Sequence, residues 1–283
     1  MKRWLERRNW PLGTRGATVL ALLCLGALCA WWLQLSPSGL LPREGGVKLA
    51  GQFFARALTP AWDYETPPPE GTPPLVMKAL EGARRTVVFA AAGMSLALIF
   101  GLLLGFLGSS AWWPQRMRTS GVGPVVWTIA RAIMVGMRSV HELLWAVLFL
   151  AAFGLNSFTA VVAIALPYGG TLAKIFSEMI DEAPRDSAGA LRQLGATGTQ
   201  TFLLGLLPRA LPDMWAYAFY RFECAIRSSA VLGFFGFETL GYAIKQSFEN
   251  LQYGEVWLYL WTLFGLVVLV ELWAASARRR FVA

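Results

Sequence analysis

Residues 187–212, SAGALRQLGATGTQTFLLGLLPRALP, decide the fold, because they form a polar helical interruption between apolar runs. Just upstream, Pro184 suits the first turn of a helix, and Asp186 complements the partial positive charge that a helix N-terminus carries. That helix is expected to run through Ala188, Ala190, Leu191, Arg192 and Leu194, and to end at Gly195, which lacks the Cβ that would resist the turn. Ala196 follows, and a second short helix is expected from about residue 197 to 206, stopping before Pro208. Two short helices at an angle, apolar inside and exposed outside, make a compact knob. Such a knob is a docking surface rather than a linker.

The flanking sequence names its solvent. A chain of 283 residues that is 56% hydrophobic, with mean hydropathy +0.49, 13 Trp and 18 Phe, cannot hide so much apolar surface in one soluble core. A span needs about 20 apolar residues to cross about 30 Å of hydrocarbon. Such runs occur at roughly 17–35, 86–108, 139–155, 157–176, 212–233 and 256–275. The expected fold is therefore all-α: a polytopic membrane protein of about six transmembrane helices with the helical pair on one face. The third and fifth runs contain ionisable residues and glycines, which makes them candidates for kinked or re-entrant segments covered by other helices.

The formal net charge of +8 does not indicate nucleic acid, because the basic residues sit at the ends of apolar runs instead of in one patch. Lys2, Arg3, Arg7, Arg8 and Arg15 precede the first span, and Arg116 and Arg118 separate the second from the third. Arg185, Arg192 and Arg209 follow the fourth, and Arg278, Arg279 and Arg280 follow the sixth. The positive-inside rule then makes the chain multi-pass with both termini and the knob cytoplasmic. The loop 36–83, although it holds Arg43, Lys48, Arg56 and Lys78, is long enough to escape the rule and is expected outside. Residues 1–35 are read as a cytoplasmic tail with a retained signal-anchor helix, 84–283 as the transmembrane core, and 178–208 as the loop that carries the knob. Cys24, Cys29 and Cys224 have no metal-ligand spacing and are read as packing residues.

In the outer loop, residues 47–58 form a candidate interfacial helix, and the run of prolines between Pro67 and Pro74 makes a stiff spacer. The second span is rich in Gly and Ala, which permits close helix approach where no hydrophobic effect drives association. Arg84 and Arg85 are expected at its outer end, as interfacial anchors or as cations that concentrate anions.

Ionisable groups at membrane depth cost a few kcal/mol each and normally face a bundle interior, a partner or a pore. Arg138, Glu142, Arg221, Glu223 and Arg227 fall in this class. Arg138–Glu142 and Glu223–Arg227 are spaced i,i+4, so each is a candidate ion pair. Alternatively, Arg138, Glu142, Glu223 and Arg227, with Ser228 and Ser229, line a translocation path that offers a cation and hydroxyls to a passing oxyanion. His141 has no second His or Cys beside it, so no metal site is expected. The sequence contains no Gly-x4-Gly-Lys-Ser/Thr loop and no nucleophile elbow, so no ATP site or catalytic residue is expected in this chain.

Residues 189–208 resemble the coupling motif of binding-protein-dependent ABC importer permeases, Glu-Ala-Ala-x3-Gly-x9-Ile-x-Leu-Pro. Ala190, Gly195, Leu207 and Pro208 keep the register, whereas Gly189, Leu191 and Gly205 depart from it. Further on, YRFECAIRSSAVLGFFG at 220–236 and RSVHELLWA at 138–146 are similar to stretches of phosphonate-type permeases. LPYGGTLAKIFSEMID and QYGEVW extend the similarity over roughly 75–280, while FGFETLGY departs from the family's glycine-rich form. The resemblance implies a type I importer permease, in a bacterial inner membrane, for a phosphonate, phosphite or hypophosphite. Its implied partners are two copies of an ATPase that binds ATP and Mg, a second permease of the same or a different chain, and an external solute-binding protein. Its implied coupling contacts are Asp186, Ala190, Leu191, Arg192, Leu194, Gly195, Ala196, Leu207 and Pro208. A secondary anion transporter and a non-transporting scaffold are the rival readings; neither the inverted repeats of the first nor a reason for buried charge in the second is found.

Overall fold

The computed structural model describes residues 13–36, 39, 45–111, 113 and 121–282. Lys2, Arg3, Arg7, Arg8, Arg43, Arg116 and Arg118 of the topology argument lie outside the described residues. Contacts divide the chain into two units, Met1–Ala55 and Arg56–Ala283. The first holds α1, Gly13–Trp32, and α2, Gly46–Ala55.

Among the described residues, the regular elements of the second unit are all helices, the main ones being α3 (Leu75–Gly108), α4 (Val122–Ser139), α5 (Glu142–Phe153), α6 (Ser157–Glu182), α7 (Asp186–Gln193), α8 (Leu207–Leu232), α9 (Leu240–Glu249) and α10 (Tyr253–Val282). Among the described residues, α1, α3, α6 and α10 are each long and apolar enough to cross a membrane, and α4 with α5 adds a fifth candidate as a pair bent by 89°. The run expected at 212–233 falls in α8. It has the length, 26 residues, but Arg209, Asp213, Arg221, Glu223 and Arg227 make it more polar than the others.

Two boundaries differ from the sequence reading. The span expected at 139–155 is broken, because Val140 is extended (φ −108, ψ 130) and His141 begins a new helix by accepting the Leu143 N–H on Nδ1 at 3.3 Å. Residues 122–139 instead form α4, a helix the apolar-run count passed over. The second span begins at Leu75, directly after Pro74, so Arg84 and Arg85 stand inside α3 and not at its end. Both are held there by Glu81, at 2.7 Å from Arg84 and 2.9 Å from Arg85, and Arg85 also bonds Glu238.

The centre of the bundle is the α3–α6 contact, made by small residues. A Cβ added to Gly93 would lie 2.9 Å from Ile164, one on Gly101 would lie 2.8 Å from Leu172 Cβ, and one on Gly105 would lie 3.1 Å from Phe176 Cβ. With the buried Ala97 these residues recur every fourth position, which forms one ridge along a helix. Backbones thus approach closely enough for dispersion to hold them where lipid competes equally for apolar side chains. Gly170 of α6 repeats the device against Met137 of α4, at 2.7 Å from its Cβ. The opposite face of α3 exposes Val88, Ile99 and Leu103, as a lipid-facing surface requires.

Polar side chains close both ends. At one end, buried Glu255 in the first turn of α10 accepts from Ser247 Oγ at 2.9 Å and from the Glu65 N–H at 3.0 Å, tying the segment before α3 to α9 and α10. At the other, Asp181 accepts from Ser109 Oγ at 2.7 Å and from the N–H groups of Ser110 and Ala111 at 3.1 and 3.0 Å. Arg131 of α4 joins there, donating to the Gly108 carbonyl at 3.1 Å. The chain leaves α6 for α7 immediately after this clamp.

Candidate functional site

The knob grows from α6 and returns into α8. In α7, Asp186 occupies the first turn and Arg192 the last, the arrangement the helix dipole favours at both ends. Its stop is a Schellman turn: the Ala196 N–H donates to the Leu191 carbonyl and the Gly195 N–H to the Arg192 carbonyl, both at 3.0 Å, with Gly195 at φ +84. Thr197 then opens the next helix through a capping box, its Oγ1 accepting the Gln200 N–H at 3.3 Å while Gln200 Oε1 accepts the Thr197 N–H at 2.9 Å. The Thr-x-x-Gln spacing at 197–200 is the signal that announces it.

That second helix does not stop before Pro208, as the sequence suggested. It passes from Gly198–Gln200 through a π-helical segment, Thr201–Leu206, directly into α8. Proline has no N–H to donate, and the chain accommodates it by widening the preceding turn: the Leu207 N–H bonds the Phe202 carbonyl, five residues back. Pro208 thereby sits in the first turn of α8, where it is tolerated.

The inner side of the knob is tightly packed, with Ala188 and Phe202 buried and Phe202 set edge-on to Phe106 at 5.8 Å. Gly205, a departure from the family motif, is where the two helices touch. A Cβ there would lie 3.1 Å from the Ala188 Cα and 3.2 Å from the Ala188 N. The outer side presents Asp186, Ala190, Arg192, Gly195 and Pro208, with Leu194 84% exposed; Leu191, Ala196 and Leu207 are half-buried. Nothing lies within 4 Å of a Cβ built on Gly189. Gly189→Glu, which restores the motif's carboxylate, is therefore expected to leave folded yield unchanged and shift the melting temperature by about 2 °C or less, a change within ~0.5 kcal/mol. A thermal ramp on detergent-solubilised protein checks this.

The ionisable residues do not assemble as one cluster. Arg138 and Glu142 are separated by the break between α4 and α5 and form no pair; Arg138 is exposed near the end of α4. Glu142 instead accepts from Ser228 Oγ at 2.8 Å and lies 3.5 Å from His141. The Ser228 hydroxyl also shares a hydrogen bond with Tyr168 OH at 2.9 Å. Arg227 meets Glu223 at 3.6 Å, the i,i+4 pair expected, and contacts Cys224 Sγ at 3.4 Å. Ser229, on the neighbouring face of α8, is buried and donates to the Thr86 carbonyl at 2.8 Å, so it serves helix packing. Tyr168 was not singled out from the sequence, although a hydroxyl-bearing residue beside Gly169 and Gly170 in an apolar helix was its available signal.

A bundle of apolar helices that carries a capped, exposed knob and a charged helix among its spans has the build of a membrane transport component. Residues 78–281 match the binding-protein-dependent transport system inner membrane component family, and the chain belongs to that family. Among relatives, the phosphite transport system permease protein PtxC of Stutzerimonas stutzeri is 31% identical over 196 residues, 69% of this chain and 68% of that protein. The phosphate-import permease protein PhnE of Mycolicibacterium smegmatis is 30% identical over 197 residues, covering 70% of this chain and 36% of that one. The fold is also that of the inward-facing methionine ABC transporter MetNI, with a TM-score of 0.63 at 21% identity over 74% of this chain and 99% of that one. The protein is a permease subunit of an ABC importer, a component that is not itself the ATPase.

Proposed function

We propose that this permease carries a phosphorus oxyanion, a phosphonate, phosphite or hypophosphite, and that its knob seats in the cleft of a separate cytoplasmic ATPase. The observation that carries the coupling role is the knob itself: a doubly capped, outward-facing unit inserted between two long helices of a chain with no ATP-binding loop. Its working assembly is two permeases, two ATPases that hold ATP and Mg, and an external solute-binding protein, with both permease termini cytoplasmic. The anion class is supported by the relatives named for phosphite and phosphate.

In this mechanism ATP closes the ATPase pair and the two knobs approach each other. The differential contacts of the knob in the two states bias the bundle between outward- and inward-facing arrangements. The path runs beside α8, past Glu142 and Ser228, with Arg138 at its margin, while Arg227 and Glu223 are occupied by each other. Hydrolysis restores the inward-facing state.

Extraction of the tagged permease in mild detergent is expected to bring a Walker-motif ATPase with it. In proteoliposomes, ATP hydrolysis by the assembly is expected to rise when loaded binding protein is added. An assembly with no such ATPase, and no binding-protein stimulation, overturns the proposal and favours a secondary transporter.

A further inference from the structure

Two arginines lie in the second half of α8, and their surroundings differ. Arg227 is neutralised by Glu223, contacts Cys224, and is half exposed. Arg221 stands near the midpoint of the 26-residue helix, and among the described residues no carboxylate pairs with it. Its guanidinium lies over the ring of Tyr168 at 5.4 Å and over that of Tyr217 at 5.6 Å, while its Nε is buried without a hydrogen-bond partner. The Glu142 carboxylate does not balance it: it is bound to Ser228, whose hydroxyl in turn bonds Tyr168 OH, and the Tyr168 ring stands between that chain and Arg221. A cation held in place by two aromatic faces, with an N–H left over and no counter-ion, is poised for an anion from outside the chain.

A groove lies against the ring that covers it. Tyr217, which covers Arg221, also lines a groove of ≈ 590 Å³ at the knob end, together with Glu182, Arg209, Asp213 and Tyr220. The groove carries two carboxylates against one arginine, so an anion leaving Arg221 on that side meets net repulsion and does not linger.

We infer that Arg221, sandwiched between Tyr168 and Tyr217, is the transit station for a tetrahedral oxyanion, its planar N–H edge meeting two oxygens at once. Arg227, by contrast, is a structural partner of Glu223. The inference rests on the oxyanion-permease reading and sharpens it to one guanidinium.

The test uses the complete complex, permease with its ATPase and binding protein, in proteoliposomes with inorganic phosphite, methylphosphonate and inorganic phosphate as separate probes. Wild-type uptake of none of the three defeats the underlying reading, independently of Arg221. Where wild type takes up a probe, Arg221→Met is expected to lower its uptake about tenfold or more while binding-protein-stimulated ATP hydrolysis stays within about twofold, and Arg227→Met to keep uptake within about threefold. Uptake and hydrolysis falling together in Arg221→Met, as a purely structural residue requires, overturns the inference. So does near-normal uptake in Arg221→Met, or an equal loss in Arg227→Met. If Arg221→Met does not fold, Arg221→Lys retains the charge without the fork, and is expected to fold normally with uptake down about fivefold or more; wild-type uptake in that variant also overturns it.

Discussion

Replacing Gly101 with leucine is expected to abolish the folded permease. The added Cβ alone would come within 2.8 Å of Leu172 Cβ, and the atom it meets belongs to the buried spine of α6, where no flexible tip can swing aside. Relief requires moving α3 away from α6, which also parts Gly93 from Ile164 and Gly105 from Phe176. Overpacking of this kind costs about 3 kcal/mol or more. The loss falls on the contact that replaces hydrophobic association inside the bilayer. Fluorescence-detected gel filtration after mild-detergent extraction reads it as disappearance of the monodisperse peak. Gly265→Leu is the control, because nothing lies within 4 Å of its built Cβ on the apolar α10. A monodisperse Gly101→Leu protein with wild-type melting would refute the ridge as the determinant of assembly.

Gly205→Ile is expected to uncouple the permease even though it restores the residue of the family motif. Isoleucine's two branches at Cβ have no room beside the Ala188 backbone, at 3.1–3.2 Å from the built Cβ, and Leu191 Cδ1 is as close. The exposed α7 yields more readily than the π segment, whose Phe202 and Leu206 are buried in the core. A displacement costing about 1–3 kcal/mol leaves the bundle folded while tilting the surface that docks. Uptake should fall about tenfold or more with membrane abundance unchanged, and binding-protein-stimulated ATP hydrolysis should fall with it. Wild-type uptake would mean the orientation of α7 does not matter. The comparison with Gly189→Glu is instructive: both restore the motif, and only the one that meets open space is expected to be harmless.

Much of the architecture was legible because its signals are local. Gly195 as the turn, Asp186 at a helix start and the proline spacer before α3 each act within a few residues of where they stand. The Glu223–Arg227 pair survived for the same reason, lying on one uninterrupted helix. Arg138–Glu142 failed because i,i+4 geometry presupposes helical backbone at Val140 and His141, and there a β-branched residue and a capping histidine break it. The helix at 122–139 was missed since Arg131 and Arg138 interrupt its apolar run. Tyr168, Asp181 and Gly205 take their meaning from partners 60, 72 and 17 residues away, Ser228, Ser109 and Ala188 respectively, and no spacing rule reaches that far.

The knob stands on two legs of unequal stiffness. On the α6 side, Asp181 welds the last turn to the loop after α3 through three hydrogen bonds. On the α8 side, a π segment and then Pro208 and Pro212, one turn apart, thin the backbone hydrogen bonding that would make the joint rigid. In the proposed mechanism, a displacement imposed on the knob is delivered through the braced leg to α3, α4 and α6, while the yielding leg acts as a shock absorber.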